Sequence, residues 1–164
     1  MPGPVAADPP AADAIALLEA DHRRIEVLFD AYDRAEPAER QAIASAVCAA
    51  LRIHARIEEE LFYPAMAEAT GALDLLAEAR VEHAVAGDLI TALERGRPGD
   101  DLFDARMRVL GEYVYHHVIE EEDELFPLCE EAGIDLAALG EALARRRQEL
   151  MPDPSATGDD VARS

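Results

Sequence analysis

Basic residues are scarce in this sequence of 164 residues, and their scarcity narrows what the protein can bind. Lysine and arginine together number 15, against 35 aspartates and glutamates, which gives a formal net charge of −20 at pH 7. Nucleic acids and anionic membrane surfaces repel a protein with such a charge. We therefore expect neither nucleic acid nor a membrane as a partner, whereas the charge is compatible with binding cations.

Cysteine is also rare, and long apolar runs are missing. Cys48 and Cys129 lie far apart and form no C-x-x-C pattern, which favours two reduced and partly buried thiols. No apolar stretch approaches the ~18–20 residues that span a bilayer. The first residues lack the basic start and apolar core of a signal peptide, so the expected location is the cytoplasm.

Few residues are β-branched, and glycine and proline gather at the ends and in two short breaks, which favours helices. Apolar residues repeat with a helical period over four long segments and one shorter one, at about 13–35, 37–68, 72–95, 101–130 and 135–150. The sequence therefore predicts an all-α protein, an up-down-up-down four-helix bundle with a short extra C-terminal helix. Residues 1–12 are expected to form a flexible arm and residues 151–164 a disordered tail, leaving 13–150 as the domain.

Three residues mark the expected helix ends. Asp13 can cap the first helix with its carboxylate. Pro37 is well suited to the first position of the second helix, because a helix start needs no N–H donor there. Gly71 follows Thr70 and is expected to close that helix.

Histidine and glutamate recur along the chain with a two-fold rhythm. His54 precedes Glu58 by four residues, and His117 precedes Glu121 by the same interval. Each of these histidines also precedes a proline by ten residues. The sequence therefore indicates one helical hairpin used twice.

A single histidine stands upstream of each His–Glu motif and follows an acidic residue, in Asp21-His22 and in Glu82-His83. Each long helix thus carries one histidine in phase with its apolar face. The residues expected to face the bundle axis are His22, His54, Glu58, His83, His117 and Glu121. Six ionisable groups in a core are costly unless something compensates them, and bound cations are the simplest compensation.

The types of ligand narrow the choice of metal. Imidazole and carboxylate without thiolate disfavour structural zinc and suit iron, manganese or a pair of zinc ions. Four histidines and two glutamates divide naturally into two histidines per ion with both glutamates bridging, which leaves positions open for a small ligand. Metal binding should weaken as the pH falls through the histidine range near ~6.

Other residues near the motifs admit alternatives. His116 and Glu120 form a rival pair at the same spacing, but the proline interval favours His117, so His116 is interpreted as a flanking residue. Tyr113 and Tyr115 precede His117 by four and two residues and are candidates for contacts with the ligands, although packing aromatics are the more ordinary interpretation. The remaining acidic neighbours are most simply a solvated face, with a supporting contact to the ligands left open for one of them: Glu59, Glu60, Glu120, Glu122 and Glu124.

Over about residues 13–130, this pattern of histidines and glutamates resembles the hemerythrin-like (HHE cation-binding) family. The resemblance implies a four-helix bundle around a non-haem di-iron centre with an oxo or hydroxo bridge. Manganese or zinc are possible substitutes for iron. It also implies four terminal ligands, which are His22, His54, His83 and His117, and two bridging ligands, which are Glu58 and Glu121.

The sequence departs from the respiratory hemerythrins, which carry a fifth histidine one turn from the third-helix histidine. The positions one turn from His83 are Ala79 and Gly87, and neither can bind a metal. The resemblance therefore implies a protein that binds and reacts with oxygen, peroxide or nitric oxide, and not a reversible oxygen carrier. The alternative is a non-catalytic iron- or oxygen-binding or sensing module in iron homeostasis or the stress response.

Overall fold

The computed structural model describes residues 12–153, which contain helices and no strand. The helices are α1 (Ala14–Arg34), α2 (Arg40–Ile57), α3 (Tyr63–Thr70), α4 (Leu73–Arg95), α5 (Phe103–Glu120), α6 (Phe126–Glu131) and α7 (Leu136–Leu150). Two π-helical turns, Glu58–Phe62 and Glu121–Leu125, join α2 to α3 and α5 to α6. Residues 12–153 therefore form four long helical segments and one shorter helix after them.

The four long segments close into a bundle. Helix α1 packs against α2, α2 against α4, α4 against α5, and α5 against α1. Helix α7 lies outside this ring, against α1, α2 and the first π-turn. The predicted up-down-up-down bundle with an extra C-terminal helix is confirmed.

The helix ends agree with the predictions at two of three positions. The Asp13 carboxylate accepts a hydrogen bond of 2.8 Å from the backbone N–H of Ala16, and Gly71 closes α3 with a left-handed φ of 67°. The prediction for Pro37 was wrong, because α2 begins only at Arg40. Residues 36–39 form a turn instead, closed by the Glu39 N–H, which donates to the carbonyl of residue 36 at 2.9 Å.

A proline accounts for each π-turn. The backbone N–H of Tyr63 donates to the carbonyl of Glu58, and that of Phe126 donates to the carbonyl of Glu121, each a bond to the fifth residue back. Both donors are followed directly by a proline. A proline ring clashes with the carbonyl four residues earlier in a regular α-helix, and the wider turn relieves that conflict.

The apolar core consists of two clusters with a polar layer between them. On α1, Leu18 belongs to one cluster and Ile25 to the other, and His22 lies between them. On α2, Leu51 belongs to one cluster and Ile57 to the other, and His54 lies between them. The polar side chains are thus shielded by apolar packing on both sides along the bundle axis.

Both cysteines lie in this apolar packing and are free thiols. Burial raises the pKa of the Cys48 thiol and of the Cys129 thiol, each to about 11. Because the thiolate is the reactive form, both thiols are protonated and unreactive near neutral pH.

The expected N-terminal arm and C-terminal tail fall outside the described residues, apart from residue 12 and residues 151–153. The boundaries of the domain therefore stay predictions. Within residues 12–153, every helix is too short or too polar to cross a bilayer.

Candidate metal centre

The structure brings the six predicted side chains together in the polar layer of the bundle: His22, His54, Glu58, His83, His117 and Glu121. The histidines form two pairs. The Nε2 atoms of His22 and His54 are 3.1 Å apart, and those of His83 and His117 are 3.2 Å apart. Both carboxylates have no exposed surface.

Each carboxylate spans the two histidine pairs. One oxygen of each faces the first pair and the other oxygen faces the second pair. The distances are 2.8 Å for Glu58 Oε1–His54 Nε2, 3.1 Å for Glu58 Oε2–His83 Nε2, 3.2 Å for Glu121 Oε1–His22 Nε2 and 3.2 Å for Glu121 Oε2–His117 Nε2. Each carboxylate could therefore contact cations held at both histidine pairs.

The geometry of these atoms suits bound cations better than hydrogen bonding alone. Oε1 of Glu58 and Oε1 of Glu121 are buried without a hydrogen-bond partner among the described residues, although a histidine nitrogen is near each. The short contacts therefore lack the angles of hydrogen bonds. Two nitrogens bound at about 2.1 Å to one ion, at roughly right angles or slightly wider, lie about 3.0–3.4 Å apart. Both histidine pairs have such a spacing.

A second acidic residue contacts the outer nitrogen, Nδ1, of every histidine. The contacts are 3.4 Å for Asp21 with His54, 2.8 Å for Glu122 with His22, 2.9 Å for Glu59 with His83, and a short contact of Glu82 with His117. An ionised carboxylate can only accept, so each Nδ1 carries the proton and donates. When such an imidazole is neutral, as metal binding requires, its lone pair is on Nε2 and points to the centre.

These outer contacts follow the two-fold repeat of the sequence. In each half of the sequence, the acidic residue that precedes the single histidine contacts the histidine of the His–Glu motif in the same half, as Asp21 contacts His54. The acidic residue that follows the glutamate of the motif contacts the single histidine in the opposite half, as Glu122 contacts His22. The supporting contact that the sequence left open for one acidic neighbour is therefore made by two, Glu59 and Glu122, although the Glu59 side chain is still 46 % exposed.

When cations are absent, the buried acidic side chains of the centre raise the pKa values of neighbouring histidines. Burial alone would lower the pKa of His54, but the carboxylates of Glu58 and Asp21 outweigh it and raise that pKa to about 10. Burial likewise opposes the charged form of His117, and hydrogen bonds to Glu121 and Glu82 raise its pKa to about 11. Without cations, His54 and His117 therefore hold protons on the nitrogens that would bind a metal.

Arginines hold two of the outer carboxylates in place. Asp21, which is 4 % exposed, accepts bonds of 2.7 Å from Arg147 on α7 and 2.9 Å from Arg24 on α1. Glu122 accepts a bond of 2.6 Å from Arg23. Helix α7 is thereby linked to His54 through a single carboxylate.

Besides the outer carboxylates, Tyr63 also reaches the centre although its position in the sequence did not predict this. The Tyr63 hydroxyl donates to the carboxylates of Glu121 at 2.9 Å and Glu58 at 3.1 Å, and it lies 3.3 Å and 3.4 Å from Nε2 of His83 and His117. Burial, together with the two carboxylates, raises the pKa of this phenol well above its usual value. On a regular helix, Tyr63 would face away from Glu58. The π-turn brings residue 63 back to the same face.

The other candidates lie on the surface. The side chain of His116 is 70 % exposed and pairs with Glu120 at 2.8 Å, which agrees with its interpretation as a flanking residue. Tyr113 and Tyr115 are 44 % and 61 % exposed, and the tyrosine that touches the ligands is Tyr63.

A helical bundle with two histidine pairs and two spanning carboxylates on its axis is characteristic of a metal-binding protein. The family model of the Hemerythrin HHE cation binding domain matches residues 13–129, and the chain belongs to this family. The protein accordingly binds metal cations.

Among solved structures, the chain is similar to the Hemerythrin HHE cation binding domain-containing protein of Mycobacterium kansasii, a homologue of Rv2633c. The two chains are 28 % identical, with a TM-score of 0.73, and the match covers 85 % of this chain and 87 % of that one. No match is found among curated proteins.

Proposed function

We propose that the centre holds two iron ions, one at each histidine pair, with Glu58 and Glu121 bridging them beside an oxo or hydroxo bridge. Manganese or zinc would be possible substitutes. The proposal is carried by the two carboxylates, each of which turns one oxygen to each pair while one of its oxygens has no hydrogen-bond partner. Nitrogen and oxygen donors without thiolate suit iron.

The second part of the proposal is that this centre reacts with oxygen, peroxide or nitric oxide in the cytoplasm, in the response to oxidative or nitrosative stress. When bound, a pair of iron ions supplies two electrons and open positions for such a ligand. The outer carboxylates keep each Nε2 directed inward, and the apolar clusters adjoin the centre on both sides. The Tyr63 hydroxyl, within hydrogen-bond distance of both glutamates, would be a hydrogen-bond donor beside a ligand bound there.

Reconstitution with iron under anaerobic conditions, followed by addition of hydrogen peroxide or nitric oxide, tests this function. We expect the visible spectrum to change within seconds and the added oxidant to be consumed. His116→Ala is the matched control, because it removes an exposed imidazole next to His117. A long-lived, reversible oxygen adduct without any peroxide or nitric oxide chemistry would contradict the proposal.

The alternative is a non-catalytic module that senses iron or oxygen, and one observation favours it. Arg147 on α7 contacts Asp21, which contacts His54, so occupancy of the first histidine pair is linked to the C-terminal helix. In that case the loaded protein would bind the oxidant without steady consumption. Protection of α7 against hydrogen exchange would then change with metal loading.

A further inference from the structure

A cavity of about 400 Å³ opens beside the metal centre, between α1, α2, α4 and α5. All four histidines of the centre are among its lining residues. Its walls are largely apolar and include Ile25, Leu51, Ile90 and Val118, which belong to the second apolar cluster. The cavity therefore connects the centre to an apolar space that ordinary core packing does not fill.

Small residues make this space. Ala55, Ala86 and Gly87 line the cavity where larger side chains would occupy it. A Cβ atom placed on Gly87 would meet no atom within 4 Å. Glycine in the interior of a helix destabilises it by about 1 kcal/mol relative to alanine, so the open space has an energetic cost.

The charged side chains that line the cavity are all engaged by partners. The ion pairs are Arg52–Glu94 at 2.8 Å, Arg56–Glu60 at 2.7 Å, Glu59–His83 at 2.9 Å and the short contact Glu82–His117. A charged group placed away from the metal centre would have to break one of these pairs to gain a partner of its own. The walls of the cavity therefore favour an uncharged occupant.

The volume of the cavity sets the size of that occupant. Water takes up about 30 Å³ per molecule in the liquid, so the space holds roughly a dozen groups of that size. A diatomic molecule or hydrogen peroxide would leave most of the space empty. Cavities of about 300–1,000 Å³ with apolar walls and a few polar groups are typical of sites for small organic molecules.

We propose that this cavity binds an uncharged organic molecule with an apolar body, which lies against α2, α4 and α5, and one oxygen-bearing group, which faces the histidines. The proposal goes beyond the proposed function, since it concerns binding without turnover. It also names a substrate class for that function, because an organic hydroperoxide is an oxidant with this shape.

Calorimetric titration of the full-length, iron-loaded protein tests the proposal with two compounds of similar size. Cumyl alcohol is uncharged, carries one oxygen and cannot act as an oxidant, whereas benzyltrimethylammonium is a cation that cannot bind a metal ion. We expect saturable binding of cumyl alcohol at one site and binding of benzyltrimethylammonium weaker by about tenfold or more. Equal binding of both compounds, or no binding of cumyl alcohol, would overturn the proposal.

A larger side chain at position 87 tests whether cumyl alcohol binds in this cavity. Gly87→Leu should weaken binding of cumyl alcohol by about tenfold or more, because its side chain occupies the space, and Gly87→Ala should have a smaller effect. Ala84→Leu is the matched control on an exposed position of the same helix and should bind within about twofold of the unchanged protein. Because leucine favours a helix more than glycine does, we expect Gly87→Leu to stay folded. Circular dichroism checks the fold of each variant.

Unchanged binding in a folded Gly87→Leu variant would also overturn the proposal. The result is independent of the oxidant chemistry, because cumyl alcohol is not reduced. Loss of reactivity with peroxide and nitric oxide would therefore contradict the proposed function and leave the binding site intact.

Discussion

Tyr63 and Phe126 occupy equivalent positions in the two halves of the bundle, and they differ by one hydroxyl group that reaches the centre. Each lies five residues after a spanning glutamate, directly after a π-turn and before a proline. The Tyr63 ring lies beside His83, with 5.5 Å between ring centroids, and the Phe126 ring stacks on His22 at 6.0 Å. The two histidine pairs are thus related by the repeat but chemically distinct.

The hydroxyl of Tyr63 should stabilise the protein when cations are absent. In Tyr63→Phe, two buried carboxylates lose their shared donor, and we expect the free energy of unfolding of the metal-free protein to fall by about 1–3 kcal/mol. Urea unfolding measures this change. Tyr115→Phe removes a hydroxyl from a side chain that is 61 % exposed and should change stability by less than about 0.5 kcal/mol. Equal effects of both substitutions would contradict the placement of Tyr63.

The outer carboxylates should determine metal affinity although they are not among the six proposed ligands. Glu122→Gln weakens the bond that orients His22, and loss of such a partner typically costs about 10–100-fold in metal affinity. Competition with a chelator measures the affinity. Asp123→Asn, at the exposed neighbouring position, removes the same charge and should leave the affinity unchanged. A similar loss in both variants would mean that general charge, and not the contact with His22, sets the affinity.

The metal-free protein should become less stable as the pH rises above neutrality. Histidine in an unfolded chain has a pKa near ~6.5, whereas those of His54 and His117 in the folded protein are about 10 and about 11. A raised folded pKa contributes stability that is complete below about pH 6.5 and is lost as the pH rises through the folded value. Cations compete with these protons, so metal affinity should increase over the same range, above the range near 6 that the sequence predicts.

Denaturant unfolding of the metal-free protein between about pH 6.5 and 10 measures the effect. His116→Gln, which alters an exposed imidazole, should keep the same pH dependence as the unchanged protein. His54→Gln should reduce it. Stability that stays constant over this range would show that the histidines of the metal-free centre do not hold their protons.

The six residues of the centre could be predicted because their spacing places them on the helix faces that also carry the apolar residues. Each helix contributes one histidine, and in a bundle those faces can only meet at the axis. The register of α5 could be predicted for the same reason, since His117, and not His116, is in phase with buried Leu110 and Val114.

Tyr63 and the outer carboxylates could not be predicted from helical periodicity alone. The π-turn changes the phase of the helix after Glu58, so a residue that a regular helix directs elsewhere reaches the centre. The positions of Asp21 and Glu82 gave some indication, because each directly precedes one of the predicted histidine ligands, His22 or His83. Which nitrogen each acid would contact depends on how neighbouring helices pack, and that information lies in the tertiary structure.

The packing of α7 on the start of α1 should depend on one glycine. A Cβ atom on Gly140 would come within 2.5 Å of the backbone oxygen of Ala12 and 2.8 Å of the backbone nitrogen of Ala14. Gly140→Ala should therefore lower the free energy of unfolding by about 1–3 kcal/mol, although alanine favours a helix. Gly87→Ala is the matched control and should raise stability by about 0.5–1 kcal/mol, because its Cβ has open space. If Gly140→Ala were as stable as the control, α7 would not pack closely on α1.

We propose that the protein holds two metal ions, one at each histidine pair, and counting the bound iron tests this most directly. After anaerobic loading and removal of loosely bound metal, elemental analysis of the unchanged protein and of His116→Ala should give two iron ions per chain. His117→Ala removes a buried ligand of the second pair and should give one or none. One ion or none in the unchanged protein, or full loading of His117→Ala together with loss from His116→Ala, would contradict the account.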